Sequence, residues 1–180
     1  AGGPSRHELA VAFDGLGRIL HDRGKVAEAE QVLRRSIEID DALPDQQAGA
    51  AASRCNLGSV LISQGRTEDA LKLLEPGLAA YRRTLPDPHP LLANTLGLMA
   101  KAHKDAGRLK VAEDLNLQAL AMWRKLQPEP NDKVAMLLVN LGAVYDAMQD
   151  ATRAEKFYRD GQQMLAASLG RENPLTMQAA

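Results

Sequence analysis

The sequence predicts an all-α fold, a right-handed α-α superhelix of four helical hairpins followed by the start of a further helix. Three observations support this prediction: an internal repeat of about 42 residues, proline-containing breaks between the repeats, and a composition suited to closely packed helices. Of the 180 residues, 45% are apolar but only 3% are aromatic. Alanine and leucine are abundant, and they favour helices over the β-branched and aromatic packing of a sheet.

Three columns of residues define the repeat. A small residue, where the two helices of a hairpin cross, stands at Gly17, Gly58, Ala100 and Gly142. The turn between the helices is marked by Gly24, Gly65, Gly107 and Gln149. An alanine of the second helix stands at Ala29, Ala70, Ala112 and Ala154. Each column steps by 41, 42 and 42 residues, and three columns that share one period indicate a true repeat.

Each column has a physical reason, and together they place the helices. Small residues at the crossing let two helix backbones approach closely, and glycine ends a helix with a left-handed residue at little steric cost. Proline cannot continue a helix interior, so the proline-containing stretches separate the hairpins. We expect first helices at about 6–22, 47–64, 89–106 and 132–148, and second helices at about 26–41, 67–83, 109–126 and 151–168.

The same pattern divides the chain. We interpret residues 1–7 as a tag or linker remnant. Residues 8–168 hold the four repeats, at about 8–43, 47–85, 89–127 and 131–168. Residues 169–180 are expected to form a linker and a truncated or capping helix, because the stretch NPLTMQAA resembles the start of another first helix.

The paired helices and the stretch GRTEDAL at residues 65–71 resemble the tetratricopeptide repeat. That repeat usually has about 34 residues. The longer period here, with LPDPHPLLANTLGLMA from Leu85 and LGRENPLTMQAA from Leu169, is similar to the variant in kinesin light chains and many bacterial proteins. Met99-Ala100, Asn116 and Gln149 depart from the pattern of the other repeats without threatening the fold.

The resemblance implies a concave groove lined by the first helices. It places the groove side chains at Asp14, Arg18, His21, Asp22, Asn56, Ser59, Asn94, Lys101, Lys104, Asp105, Asn140 and Asp146. The cations among them could bind carboxylates or carbonyls of a peptide, whereas the aspartates oppose a purely acidic ligand. For any one of these residues, the alternative to a ligand contact is a place on the solvent-exposed polar face of its helix. Asn56 and Asn140 occupy equivalent places, where an amide could bind a peptide backbone or serve repeat packing.

Several classes of function are disfavoured. The net charge of −1 gives no basic field for nucleic acid, and no apolar run approaches the length of about 18 residues that spans a membrane. We find no catalytic constellation, metal-ligand spacing or cofactor motif. Cys55 is interpreted as a small buried or groove-lining residue, His103 as a packing residue between helices, and His89 as a cap or packing residue of its linker. The lysine–asparagine pattern that clamps chaperone tails is absent, so a heat-shock chaperone C-terminus is not expected as the ligand.

The sequence therefore predicts a cytoplasmic, non-catalytic scaffold or adaptor that binds a peptide or protein segment in the groove. One alternative is a bacterial protein similar to kinesin light chains that binds tubulin-like cytoskeletal filaments. Another is a sensor or oligomerisation segment of a larger regulator. We expect a monomer, or a weak homo-oligomer formed through the end repeats.

Overall fold

The computed structural model describes residues 5–43, 47–127 and 130–169, which form eight α-helices and no strand. The helices are α1 (Arg6–Asp22), α2 (Val26–Asp41), α3 (Gln47–Ser63), α4 (Thr67–Thr84), α5 (Pro90–Asp105), α6 (Leu109–Leu126), α7 (Asp132–Ala147) and α8 (Ala151–Leu169). Every predicted helix is confirmed to within about one residue at each end. The further helix predicted at the C-terminus lies outside the described residues.

The chain forms two compact units, residues 1–85 and residues 86–180. In the first unit, the hairpins α1–α2 and α3–α4 pack together through α2 against α3 and α1 against α3. In the second unit, the hairpins α5–α6 and α7–α8 pack in the same way, through α6 against α7 and α5 against α7. Each unit therefore contains two complete repeats with a shared core.

All four hairpin turns have the same backbone geometry. Gly24, Gly65 and Gly107 have φ of 74°, 75° and 75°, and Gln149 adopts the same left-handed conformation at φ 61°. The residue after each of them donates its N–H to a carbonyl five residues earlier, over 2.8 to 2.9 Å. This is the hydrogen-bonding pattern of a Schellman motif, which satisfies the last carbonyls of the first helix. The fourth turn therefore has glutamine in place of glycine but keeps the same backbone conformation.

The small-residue column lies where each first helix meets its own second helix. A Cβ added to Gly17 would lie 2.4 Å from Leu33 Cγ, and one added to Gly142 would lie 2.7 Å from Tyr158 Cδ1. The third hairpin has Ala100 in this column, and its second helix carries the shorter Asn116 in place of leucine or tyrosine. Both residues are buried. The two departures from the repeat thus occur together, and the shorter side chain leaves room for the extra methyl group.

A glutamate on a second helix links the two hairpins of each unit. In the first unit, Glu30 of α2 accepts hydrogen bonds from Gln64 Nε2 and Arg66 Nη1, both 3.0 Å long. The equivalent residue of the second unit, Glu113 of α6, accepts from Tyr145 Oη at 2.5 Å. Hydrogen bonds from Arg34 and then Gln64 lower the pKa of Glu30 to about 2. Hydrogen bonds from Lys110 and then Tyr145 hold the pKa of Glu113 below its usual value.

The contact at the helix crossing can be tested with a pair of glycines from the same unit. Gly58→Ala places a methyl group 2.7 Å from Leu74 Cδ2, so we expect a loss of about 1–3 kcal/mol in the free energy of unfolding. Gly15→Ala is the control, because no atom lies within 4 Å of the added Cβ; this change is expected to stabilise by up to about 1 kcal/mol. Urea unfolding followed by circular dichroism measures both. Equal effects of the two changes would contradict the close approach.

The link through Glu30 predicts a pH-dependent stability. Because the folded state lowers this pKa from 4.5 to about 2, the carboxylate stabilises above pH 4.5, and its contribution is lost as the pH falls towards 2. Glu30→Gln should therefore lower the free energy of unfolding by up to about 1 kcal/mol at pH 7, and this effect should shrink as the pH falls from 4.5 through about 2. Glu38→Gln, which removes only the exposed pair with Arg35, is the control and should change little at either pH. A pH-independent effect of Glu30→Gln would refute the link.

Candidate functional site

Five of the predicted groove residues meet in one cleft of the first unit. The cleft has a volume of about 190 Å³. Its polar walls are Arg18, His21 and Asp22 from α1 with Asn56 and Ser59 from α3, and its floor is Gly17, Leu33 and Val60. The structure thus brings together residues about 40 positions apart in sequence.

Helix geometry explains why these side chains converge. Residues three and four positions apart lie on one face of a helix, and this spacing relates Arg18 to His21 and Asp22 on α1. Asn56 and Ser59 on α3 have the same relation. Between the two helices, the missing side chain of Gly17 lets Leu33 of α2 approach and close the floor. The small-residue column therefore shapes the cleft as well as the hairpin.

Asp14 lies beside the cleft and orients Asn56. Asn56 Nδ2 donates to Asp14 Oδ1 over 2.7 Å, and Ser53 Oγ donates to the same oxygen over 3.1 Å. Since a carboxylate only accepts, the amide nitrogen of Asn56 faces Asp14, and the amide oxygen can accept from another donor. Asp14 thus positions the side chain of Asn56.

A buried serine pair continues this hydrogen-bonded cluster into the core. Ser36 Oγ donates to the carbonyl of Ala10 over 2.7 Å and lies 2.9 Å from Ser53 Oγ. Both serines are at most 1% exposed. Sequence reasoning missed these serines; the available signal was a serine on each of two helices at positions where the repeat buries the side chain.

The predicted groove residues of the second unit are arranged differently. Lys101 Nζ lies 3.0 Å from Asp105 Oδ2, and Lys104 Nζ lies 3.2 Å from Asp105 Oδ1. Burial acts to raise the pKa of Asp105, but hydrogen bonds from Lys101 and then Lys104 outweigh it and hold the pKa below its usual value. One carboxylate thus balances part of the positive charge of both lysines.

The remaining predicted residues lie on the first helices of the second unit. Asn94 and Asp146 are exposed, and Asn140 is half-buried. The residue that corresponds to Asp14 in this unit is Gly97, so Asn140 lacks the carboxylate that orients Asn56. The two asparagines share a column but not a hydrogen-bonding environment.

His89, His103 and Cys55 have structural surroundings. His89 is the N-cap of α5, and its Nδ1 accepts the N–H of Leu91 over 3.1 Å, which confirms its predicted place as a cap. His103 Nδ1 accepts from Arg108 Nε over 2.8 Å and braces the turn after α5 as well as packing there. Cys55 is buried, and a Cβ added to Gly77 would lie 3.2 Å from its Sγ. These contacts give His89 and His103 structural roles and place Cys55 in the core.

Neither a metal centre nor a membrane span is found in the part of the chain that the structure describes. Within residues 5–43, 47–127 and 130–169, no three His, Cys, Asp or Glu residues are grouped so as to hold a metal ion. No helix in these ranges combines the length and the apolar character needed to cross a lipid bilayer.

The sequence profile of the tetratricopeptide repeat matches residues 49–125 and residues 9–39. The chain belongs to the tetratricopeptide repeat family, whose fold is a general scaffold for protein–protein interaction. Its repeats are of the kinesin-light-chain-like type. Protein KINESIN LIGHT CHAIN-RELATED 1 of Arabidopsis thaliana is 30% identical over 125 residues, which are 68% of this chain and 20% of that protein. The chain thus spans about a fifth of the length of the curated relatives it matches.

Solved structures confirm the predicted all-α superhelical repeat fold. BtubC (BKLC) from P. vanneervenii has a TM-score of 0.81 at 19% identity, over 97% of this chain and 70% of that one. A Rap protein complexed with Competence and Sporulation Factor has a TM-score of 0.82 at 14% identity, over 98% of this chain and 48% of that one. At such low sequence identities the structural similarity establishes only the fold. The function has to be inferred from the candidate site.

Proposed function

We propose that this chain is a non-catalytic scaffold that binds an extended peptide or protein segment along its first helices, with the cleft of the first unit as the principal contact. The convergence of Arg18, His21, Asp22, Asn56 and Ser59 in that cleft is the observation that carries the proposal. The proposed scaffold acts in the cytoplasm.

The chemistry of the cleft suits a peptide backbone. An extended segment offers N–H donors and carbonyl acceptors in alternation. The amide oxygen of Asn56 can accept an N–H, while Arg18 and Ser59 can donate to carbonyls. Asp22 stands beside Arg18, so the cleft favours a neutral or mixed-charge segment over an acidic one. Its volume of about 190 Å³ lies below the about 300–1,000 Å³ of pockets that enclose a small molecule, which favours a short stretch of chain.

The first helices of the second unit offer a ligand weaker charged contacts. Lys101 and Lys104 share Asp105, so a ligand gains less from them than from free cations. Asn94, Asn140 and Asp146 are available as additional polar contacts on the first helices of this unit. Binding is therefore expected to depend more on Arg18 than on the two lysines.

The test is affinity capture from the native cell extract, followed by anisotropy titrations with overlapping peptides of the captured partner. Arg18→Glu/Ser59→Glu is expected to weaken the binding peptide about tenfold or more, which corresponds to about 1.4 kcal/mol, and Lys101→Glu/Lys104→Glu to weaken it less. The control is Arg35→Glu/Lys72→Glu, which removes exposed i,i+3 ion pairs on second helices and should leave binding unchanged. A partner that binds the cleft variant as tightly as the wild type would exclude the cleft.

A cytoskeletal partner is the second candidate, favoured by the similarity to kinesin-light-chain-related proteins. Under this proposal the chain acts as an adaptor on tubulin-like filaments. Co-sedimentation with such filaments at micromolar concentration should bring the chain into the pellet, and a chain that stays in the supernatant would eliminate this candidate.

A sensor segment of a longer regulator is the remaining alternative. It is favoured by the likeness in fold to a Rap protein complexed with Competence and Sporulation Factor. The same cleft would then bind the signal, so the peptide titrations above also apply to this alternative.

A further inference from the structure

The cleft of the first unit is walled by polar side chains that the fold itself does not use. In the part of the chain that the structure describes, four of them form no hydrogen bond or ion pair through their side chains: Arg18, His21, Asp22 and Ser59. They converge on one cavity of about 190 Å³. The cleft therefore presents donors and acceptors that are available to a ligand.

The equivalent side chains of the second unit are paired. Lys101 and Asp105 stand in the columns of Arg18 and Asp22, and Lys101 Nζ lies 3.0 Å from Asp105 Oδ2. A spacing of four residues on a helix permits this ion pair in both units. Arg18 and Asp22 are exposed and do not form it within the described residues. Both of their charges are thus available in the first unit.

Three of the groups around the cleft accept hydrogen bonds. They are the carboxylate of Asp22, the hydroxyl of Ser59 and the amide oxygen of Asn56. The nitrogen of that amide donates to Asp14 over 2.7 Å, which leaves its oxygen to accept from a ligand. A backbone N–H needs one acceptor, whereas a primary ammonium group has three N–H donors. In the second unit Ala143 stands in place of Ser59, so the set is not repeated there.

The charges at the cleft favour a cation. With His21 neutral, Asp14 and Asp22 contribute two negative charges and Arg18 contributes one positive charge, which leaves one negative charge. Arg18 and Asp22 are neighbours on one face of α1, with Cβ atoms about 5–6 Å apart. A group that carries an ammonium beside a carbonyl can therefore contact both. The amino terminus of a peptide has this arrangement, because one carbon separates its ammonium from its first carbonyl.

We propose that the cleft binds the free amino terminus of a peptide or protein. The α-ammonium group donates to Asp22, Ser59 and Asn56. The carbonyl of the first residue accepts from Arg18, and the rest of the segment continues along the first helices. The ligand class of the proposed scaffold, on which this assignment rests, is thereby narrowed to chains whose amino terminus is unblocked and accessible.

Four tripeptides separate the amino terminus from other sources of the same groups. Ala-Ala-Ala amide has a free α-ammonium, and N-acetyl-Ala-Ala-Ala amide has no charge. N-acetyl-Ala-Lys-Ala amide carries its ammonium on a side chain, and N-acetyl-Ala-Ala-Ala has a free carboxylate instead. Each is titrated into the ¹⁵N-labelled 180-residue chain, and NMR follows the backbone amides of Asp22 and Ser59 and the side-chain amide of Asn56.

Ala-Ala-Ala amide is expected to shift these resonances and to bind about tenfold or more tightly than the other three tripeptides. It alone offers three N–H donors next to a carbonyl, and hydrogen bonds from a charged donor are the stronger ones.

A charge-neutral replacement tests the carboxylate itself. Asp22→Asn keeps the shape of the side chain, and it should weaken Ala-Ala-Ala amide about tenfold while leaving the N-acetylated amide unchanged. Asp114→Asn is the control, because it removes an exposed carboxylate of α6 with the same change in net charge and should leave all four titrations unchanged. Circular dichroism checks that both variants keep the helicity of the wild type.

Three outcomes would overturn the assignment. The first is the absence of any shift with Ala-Ala-Ala amide at about 10 mM. The second is equal or tighter binding of N-acetyl-Ala-Ala-Ala amide or of the lysine tripeptide, which would give the cleft to an internal segment or to a lysine side chain. The third is tightest binding of the tripeptide with the free carboxylate, which would give the cleft to a carboxyl terminus.

The proposed scaffold function is tested separately from this assignment. Peptides of the captured partner that lose affinity in Arg18→Glu/Ser59→Glu would support the scaffold function even if acetylation of their amino terminus had no effect. Captured peptides that bind this variant as tightly as the wild type would exclude the cleft as the scaffold's contact, whatever the tripeptides show.

Discussion

The close approach of the two helices in each hairpin is the constraint on which the rest of the structure depends. It needs a small residue on the first helix and a side chain of matching size on the second, as in Gly17 with Leu33. This approach sets the rotation of the first helix about its own axis and therefore decides which residues face the cleft. Leu33 reaches the cleft because Gly17 has no side chain to block it. Fold and candidate site thus share one steric origin.

Most of the fold could be predicted from the sequence because each repeat is marked by residues whose effects on the backbone are local. Glycine in a left-handed turn, proline between hairpins and alanine at the crossing each act within a few residues, so the helix ends follow from them. Gln149 shows where such reasoning stops. Its identity departs from the column, but the hydrogen bonds of the turn impose the left-handed conformation on it at φ 61°. The surrounding structure overrides the preference of a single residue there.

The candidate site was predictable in outline only. The repeat gives the helix faces, so it brings Arg18 and Asn56 to one cleft. It does not give the partners of each side chain, because these depend on contacts between residues distant in sequence. Asp14 could not be read as the residue that orients Asn56, since the two are 42 positions apart. The pairing of Lys101 with Asp105 was within reach, because an i,i+4 spacing on a helix predicts it directly.

The matched departures in the third hairpin have a consequence for recombination between repeats. Ala100 and Asn116 replace a glycine and a larger side chain at the same contact, so each hairpin is a unit whose two halves are fitted to one another. A chimera joined between hairpins keeps every such fit. One joined at a turn would set an alanine against a leucine in one product and a glycine against an asparagine in the other. Duplication and exchange of repeats in this chain are therefore expected to preserve whole hairpins, with junctions in the proline-containing linkers.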